Sequence, residues 1–224
     1  MPGVLALVGG AEWTEGCTFD RDLLAASGAS EVLVLPTAAA YERPERAVET
    51  ASAWFASLGA KARGLMVLRR PDAEDPANVE AVRASSFIYL GGGSPLHLRS
   101  VLKDSSLWSA LESAWQGGAV LAASSAGAMA LGDPMVDPRG GAYTLGLGLV
   151  EQLAVIPHFD AWSADKAHRT MELAPAGVAV VGIEERTALI RTAAGAWETA
   201  GAGRVDVFRD GKRAGLEALP GGAV

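Results

Sequence analysis

Six short runs made almost wholly of apolar residues constrain this chain more than any other feature. They are 4–8 (VLALV), 31–35 (EVLVL), 64–69 (GLMVLR), 86–90 (SFIYL), 119–123 (AVLAA) and 178–183 (VAVVGI). Runs this short and this continuous read as strands buried on both faces, not as half-exposed alternating ones. Helical stretches separate them. Asp20 to Ala26 reads as a short helix, and 42–58 sets Val48, Ala51, Trp54, Phe55 and Leu58 at helical spacing before Gly59. Residues 78–84, Pro95 to Gln116 and 163–173 read as further helices. Alternation of this kind predicts an α/β fold, a mostly parallel sheet sandwiched by helices. Residues 140–150 read as loop plus strand, and 155–159 as a short strand. After Glu185 the pattern changes to short antiparallel strands at 187–191, 196–199 and 204–209, with glycines at the turns. Without a repeat or linker, the 224 residues fit one domain spanning 1–224.

Composition narrows the function. A formal net charge of −7 argues against a nucleic-acid partner, which calls for a basic face. Cys17 is the sole cysteine, so no intrachain disulfide forms, which fits a reducing, cytoplasmic setting. In the Gly16-Cys17-Thr18 loop it reads as a small packing residue. The N-terminal residues lack a basic leader, and no apolar run approaches the roughly 20 residues of a membrane span. Neither H-E-x-x-H nor a Cys/His cluster occurs, so no metal and no cofactor is expected.

The chemistry concentrates at AVLAASSAGAMAL, residues 119–131. An apolar strand enters a turn of small residues and then a helix, and the carboxyl edge of an open α/β sheet is where such folds bind ligands. Ala123-Ser124-Ser125-Ala126-Gly127 resembles the nucleophile elbow G-x-S-x-G, with alanine at the first glycine. Ser125 is preferred over Ser124 because Ala126 and Gly127 then occupy the positions that must be small. A helix-capping serine is the alternative use of such a turn. Leu90-Gly91-Gly92-Gly93-Ser94 ends a strand and opens a helix, so its amides are placed to assist an oxyanion. It lacks the Lys-Ser/Thr of a P-loop and the G-x-G-x-x-G of a dinucleotide site. Of three histidines, His158 stands at the end of an apolar strand, where a base belongs. His97 and His168 fall inside helical stretches. Glu184, Glu185 and Asp160 are all candidates to orient the base.

Together GGGS (91–94), ASSAGA (123–128), IPHF (156–159) and GIEERTAL (182–189) resemble the serine peptidases that include aspartyl dipeptidase (peptidase E) and cyanophycinase. The resemblance runs from residue 4 to about residue 195 and implies a fold like the class I glutamine amidotransferases. It implies Ser125 as nucleophile, His158 as base and Glu185 as acid, with the amides of Gly93 and Ala126 forming the oxyanion hole. It further implies a short peptide as substrate and a homodimer. Arg169 is the expected clamp for a substrate carboxylate, because a guanidinium grips carboxylate through two bonds. Ser94 and Asp160 are candidate substrate contacts. Ser94 stands where the family has Asn or Asp, and the arginines after the histidine are sparse, departures that bear on aspartyl specificity. A binding module on the same scaffold and an amidotransferase-like enzyme are the competing expectations; the latter chemistry ordinarily has cysteine at the elbow.

Overall fold

The computed structural model describes residues 1–139 and 142–221. Its first half alternates strand and helix: β1 (Leu5–Val8), α1 (Phe19–Ser27), β2 (Glu31–Leu35), α2 (Pro44–Ser57), β3 (Lys61–Gly64), α3 (Pro76–Arg83), β4 (Phe87–Leu90), α4 (Pro95–Leu102), α5 (Ser106–Gln116), β5 (Val120–Ser124) and α6 (Ala126–Leu131). β1 to β5 all pair in parallel. β1, β4 and β5 are buried along their whole length, as continuous apolar strands between two covering layers must be.

The second half contributes β6 (Gly132–Asp133), β7 (Met135–Val136), β8 (Tyr143–Thr144), β9 (Val150–Glu151), β10 (Leu153–Ile156), α7 (Ala164–Glu172), β11 (Ala179–Ile183), β12 (Thr187–Arg191), β13 (Trp197–Gly201), β14 (Val205–Arg209) and β15 (Lys212–Ala214). Residues 140 and 141 of the stretch expected as loop plus strand lie outside the described residues. The main sheet runs β13-β12-β1-β5-β4-β2-β3, and a second sheet runs β15-β14-β11-β10-β6-β9. The antiparallel tail is therefore shared. β12 pairs antiparallel with β1 and carries β13, whereas β14 crosses to pair antiparallel with β11.

Side-chain alternation assigns the two faces of the main sheet. Ala6, Val8, Val32, Val34, Phe87 and Tyr89 pack with Phe19 and Leu23 of α1 and Phe55 of α2. Leu5, Leu7, Leu33, Ile88 and Leu121 pack on the other side with α3, α4, α5 and the inner strands β10 and β11.

Three expected elements move, and the first, the strand expected at 155–159, lies at Leu153–Ile156 with Phe159 already in a short 3-10 turn. The strand expected at 64–69 lies at Lys61–Gly64. It is an edge strand with Lys61 and Arg63 exposed, so its own residues are polar, and charged residues guard open edges. Leu65 and Val67 beyond it are buried; the Leu65 amide still bonds to the Val34 carbonyl of β2 at 2.8 Å, and the strand stops there. The helix expected from Pro95 to Gln116 breaks at Lys103–Ser105. Asp104 takes φ +56°, and Ser105 Oγ accepts the Trp108 amide at 3.0 Å to start α5 afresh.

Asp20 is a fully buried carboxyl in the face covered by α1. Trp54 Nε1 donates to its Oδ2 at 2.8 Å, and Oδ1 has no protein partner among the described residues. Burial pushes the carboxyl up to about 7; the Trp54 bond opposes this and the charge of Glu12 adds to it. The folded chain thus holds a proton that the unfolded chain releases, so stability falls as pH rises from about 4 to about 7. Asp20→Asn keeps an acceptor for Trp54 and removes the charge. The variant is expected to exceed the parent in stability at pH 8 by up to roughly 4 kcal/mol. Near pH 4 the gap should close. Urea unfolding at both pH values checks this, and a gap independent of pH would show that Asp20 does not titrate in that window.

Candidate active site

β5 delivers Ser125 to the carboxyl edge of the main sheet. Ser125 takes φ +50°, ψ −110°, a conformation that L-residues rarely adopt and that lifts Oγ out of the turn. Its amide is held by the Val8 carbonyl at 2.9 Å. Gly127 must be small, since a Cβ there would stand 2.9 Å from the Leu90 carbonyl oxygen. Ser124 is fully buried and turned away, its hydroxyl donating to Glu12 Oε2 at 2.8 Å.

The second sheet supplies the partners. His158 follows β10, and its Nε2 lies 2.9 Å from Ser125 Oγ. Its Nδ1 lies 2.8 Å from Glu185 Oε1, on the loop after β11. A carboxylate only accepts, so Nδ1 carries the proton and Nε2 is left to accept from the Ser125 hydroxyl. Glu184 turns the other way and is bound by Arg204 at 3.0 Å. Asp160 does not reach the imidazole; its Oδ1 accepts the Glu185 amide at 3.1 Å. His97 Nε2 lies 2.9 Å from the Leu68 carbonyl oxygen, and His168 pairs with Glu172 at 3.3 Å.

Three consecutive carbonyls at the end of β1 organise this arrangement. Val8 accepts the Ser125 amide, Gly9 the His158 amide at 2.7 Å, and Gly10 the Arg186 amide at 2.8 Å. Gly10 also backs the imidazole. It has φ +116°, and a Cβ built on it would overlap His158 Cε1. In the sequence Gly9-Gly10 is legible as a strand end; its second use, as the floor under a histidine 148 positions away by number, is not.

In the glycine loop, the Gly91 and Ser94 amides bind the carbonyls of Leu35 and Ala38 at 3.1 and 2.8 Å, and the Gly92 amide binds Glu12 Oε1 at 3.0 Å. Gly93, at φ +135°, has no such acceptor for its amide among the described residues. Ser94 Oγ accepts the His97 amide at 3.3 Å and caps α4. Arg169 is exposed on α7, with no side-chain bond among the described residues. Cys17 is buried, and burial pushes its thiol up, away from thiolate chemistry. Among the described residues no group of three His, Cys, Asp or Glu side chains is placed to hold a metal ion, and no helix is long and apolar enough to cross a membrane.

The model of peptidase family S51 matches residues 5–196. A peptidase from an acI-B1 Actinobacterium superposes with a TM-score of 0.85 at 30% identity, over 96% of this chain and 93% of that one. A candidate peptidase E protein from Listeria monocytogenes EGD-e superposes with a TM-score of 0.65 at 17% identity, over 93% of this chain and 99% of that one, and shares the fold. No curated protein matches the chain.

The contact between Gly10 and His158 yields a direct test. In Gly10→Ala the new methyl must displace the imidazole, and an ångström-scale shift of a catalytic group costs on the order of 100-fold in rate. Labelling of Ser125 by a fluorophosphonate should slow by about that factor, with the circular dichroism spectrum retained. Labelling at the parental rate would show that the imidazole does not rest on Gly10.

Proposed function

The chain belongs to peptidase family S51, and from that membership we propose that it hydrolyses short peptides through an acyl-enzyme on Ser125. The observation that carries the reading is the unbroken relay of 2.9 Å from Ser125 Oγ to His158 Nε2 and 2.8 Å from Nδ1 to Glu185 Oε1. His158 takes the hydroxyl proton as Ser125 attacks the peptide carbonyl, then gives it to the leaving amine. Water repeats the sequence on the ester. Glu185 fixes the tautomer and offsets the charge of the imidazolium. The amides of Gly93 and Ala126 receive the oxyanion, a role supported by the Gly93 amide having no internal acceptor among the described residues.

Aspartyl dipeptidase activity is the finer form of the proposal. Arg169, exposed and without a side-chain bond among the described residues, is the clamp for the substrate carboxylate, with Ser94 and Asp160 as further substrate contacts. The triad draws one member from the main sheet and two from the second, which supports treating the chain as one domain. The single cysteine supports a cytoplasmic enzyme, and the family resemblance supports a homodimer.

A panel of Asp-X, Ala-X and Leu-X dipeptides tests both levels. Ser125→Ala and His158→Ala should each lower kcat by roughly 10⁴-fold or more, and Glu185→Gln by less. Arg169→Met should raise KM for Asp-X alone. Turnover that survives in Ser125→Ala would overturn the triad. Equal turnover of all three dipeptide classes would remove the aspartyl preference and leave the triad standing.

A further inference from the structure

Glu12 stands beside the nucleophile and outside the triad. It lies on the segment that leaves β1, two residues after the glycine that backs His158, and is half-buried. Each of its carboxylate oxygens holds a different loop. Oε1 accepts the Gly92 amide at 3.0 Å, and Oε2 accepts the Ser124 hydroxyl at 2.8 Å. Gly92 immediately precedes Gly93, and Ser124 precedes the Ser125-Ala126 pair. One side chain therefore joins the loops that carry the two oxyanion amides. No salt bridge reaches Glu12 among the described residues, so these two bonds are the contacts that hold its carboxyl group.

Gly91-Gly92-Gly93 has no side chain of its own with which to fix its peptide planes, and glycine loses the most freedom on being ordered. The Leu35 and Ala38 carbonyls hold the amides of Gly91 and Ser94 on either side, Glu12 holds that of Gly92, and the Gly93 amide is left open among the described residues. A Cβ on Gly92 would stand 3.2 Å from Glu12 Oε1 and 3.4 Å from Ser125 Cβ, so the bond is made directly against the nucleophile. An oxyanion hole accelerates a reaction only if its donors are already aimed when charge develops.

We propose that Glu12 is a positioning residue for the oxyanion hole, fixing the Gly93 loop against the elbow so that both amides converge on one point. The inference rests on the serine peptidase reading above. A positioning role lowers kcat and leaves KM in place, because the oxyanion exists only in the transition state. A role in holding the substrate's α-ammonium would do the reverse.

Substitution separates these. Glu12→Ala removes both bonds, and loss of an aligned oxyanion donor costs about 10²–10³ in kcat; misalignment should cost about 30- to 100-fold, with KM within about twofold. Glu12→Gln retains the bridge, since its oxygen accepts the Gly92 amide and its NH₂ donates to Ser124 Oγ with the hydroxyl reversed. It should therefore recover at least about tenfold of the loss. Affinity for a peptide aldehyde, whose adduct with Ser125 places an oxygen in the hole, should fall in Glu12→Ala by the same factor as kcat/KM. Ser124→Ala, which removes one bond, should fall between parent and Glu12→Ala and add nothing to it in the double variant; it also serves as the test if Glu12→Ala fails to fold. Parental kcat in Glu12→Ala, or a rise in KM alone in both Glu12 variants, would overturn the proposal. Ser125→Ala is measured in parallel: turnover there would instead sink the underlying serine mechanism.

Discussion

Everything at the candidate site hangs on the backbone of residues 8–10. The carbonyls of Val8, Gly9 and Gly10 accept, in order, the amides of Ser125, His158 and Arg186. Those three donors lie on separate loops, one from the main sheet and two from the second. Backbone bonds of this kind hold position without rotamer freedom, so the spacing of Ser125, His158 and the loop of Glu185 follows a single backbone segment. Gly9 and Gly10 are required because side chains there would overlap Glu184 and His158. A central strand that continues past the sheet as bare backbone is thus the frame for the chemistry.

That frame also holds two strained residues in place. Ser125 and His158 both have positive φ, +50° and +49°. Non-glycine residues in that region cost on the order of 1–3 kcal/mol each and persist only where surroundings fix them. Here each has its amide bound to the carbonyls at the end of β1. The strain faces Oγ and Nε2 toward each other across the seam between the sheets. Glu12 extends the same segment to the glycine loop, so Ser125, His158 and the Gly92 loop share one anchor.

Much of this was legible in the residues. Small residues at 126 and 127 pointed to Ser125 over Ser124, and Gly127 does lie against the Leu90 carbonyl. With only three histidines, the one closing an apolar strand stood out. The edge strand β3 escapes the apolar pattern because hydrophobicity locates buried strands, and β3 is half exposed. The helical stretch from Pro95 looks continuous in the residues because a break made by one left-handed residue, Asp104, leaves the apolar spacing intact.

The sequence by itself determined the buried inner strands of the main sheet, the elbow and the histidine, because each is written in local chemistry: apolar continuity, small side chains, a titratable ring at a strand end. Only the tertiary structure decided which carboxylate meets His158. Glu184 and Glu185 are neighbours of identical type, and the choice falls to strand direction and to Arg204, which takes Glu184. It alone divided the antiparallel tail between two sheets. It alone brought Glu12 to Gly92 and Ser124, across 80 and 112 positions of chain. Contacts at that separation follow from how layers stack, and no local pattern in the residues encodes them.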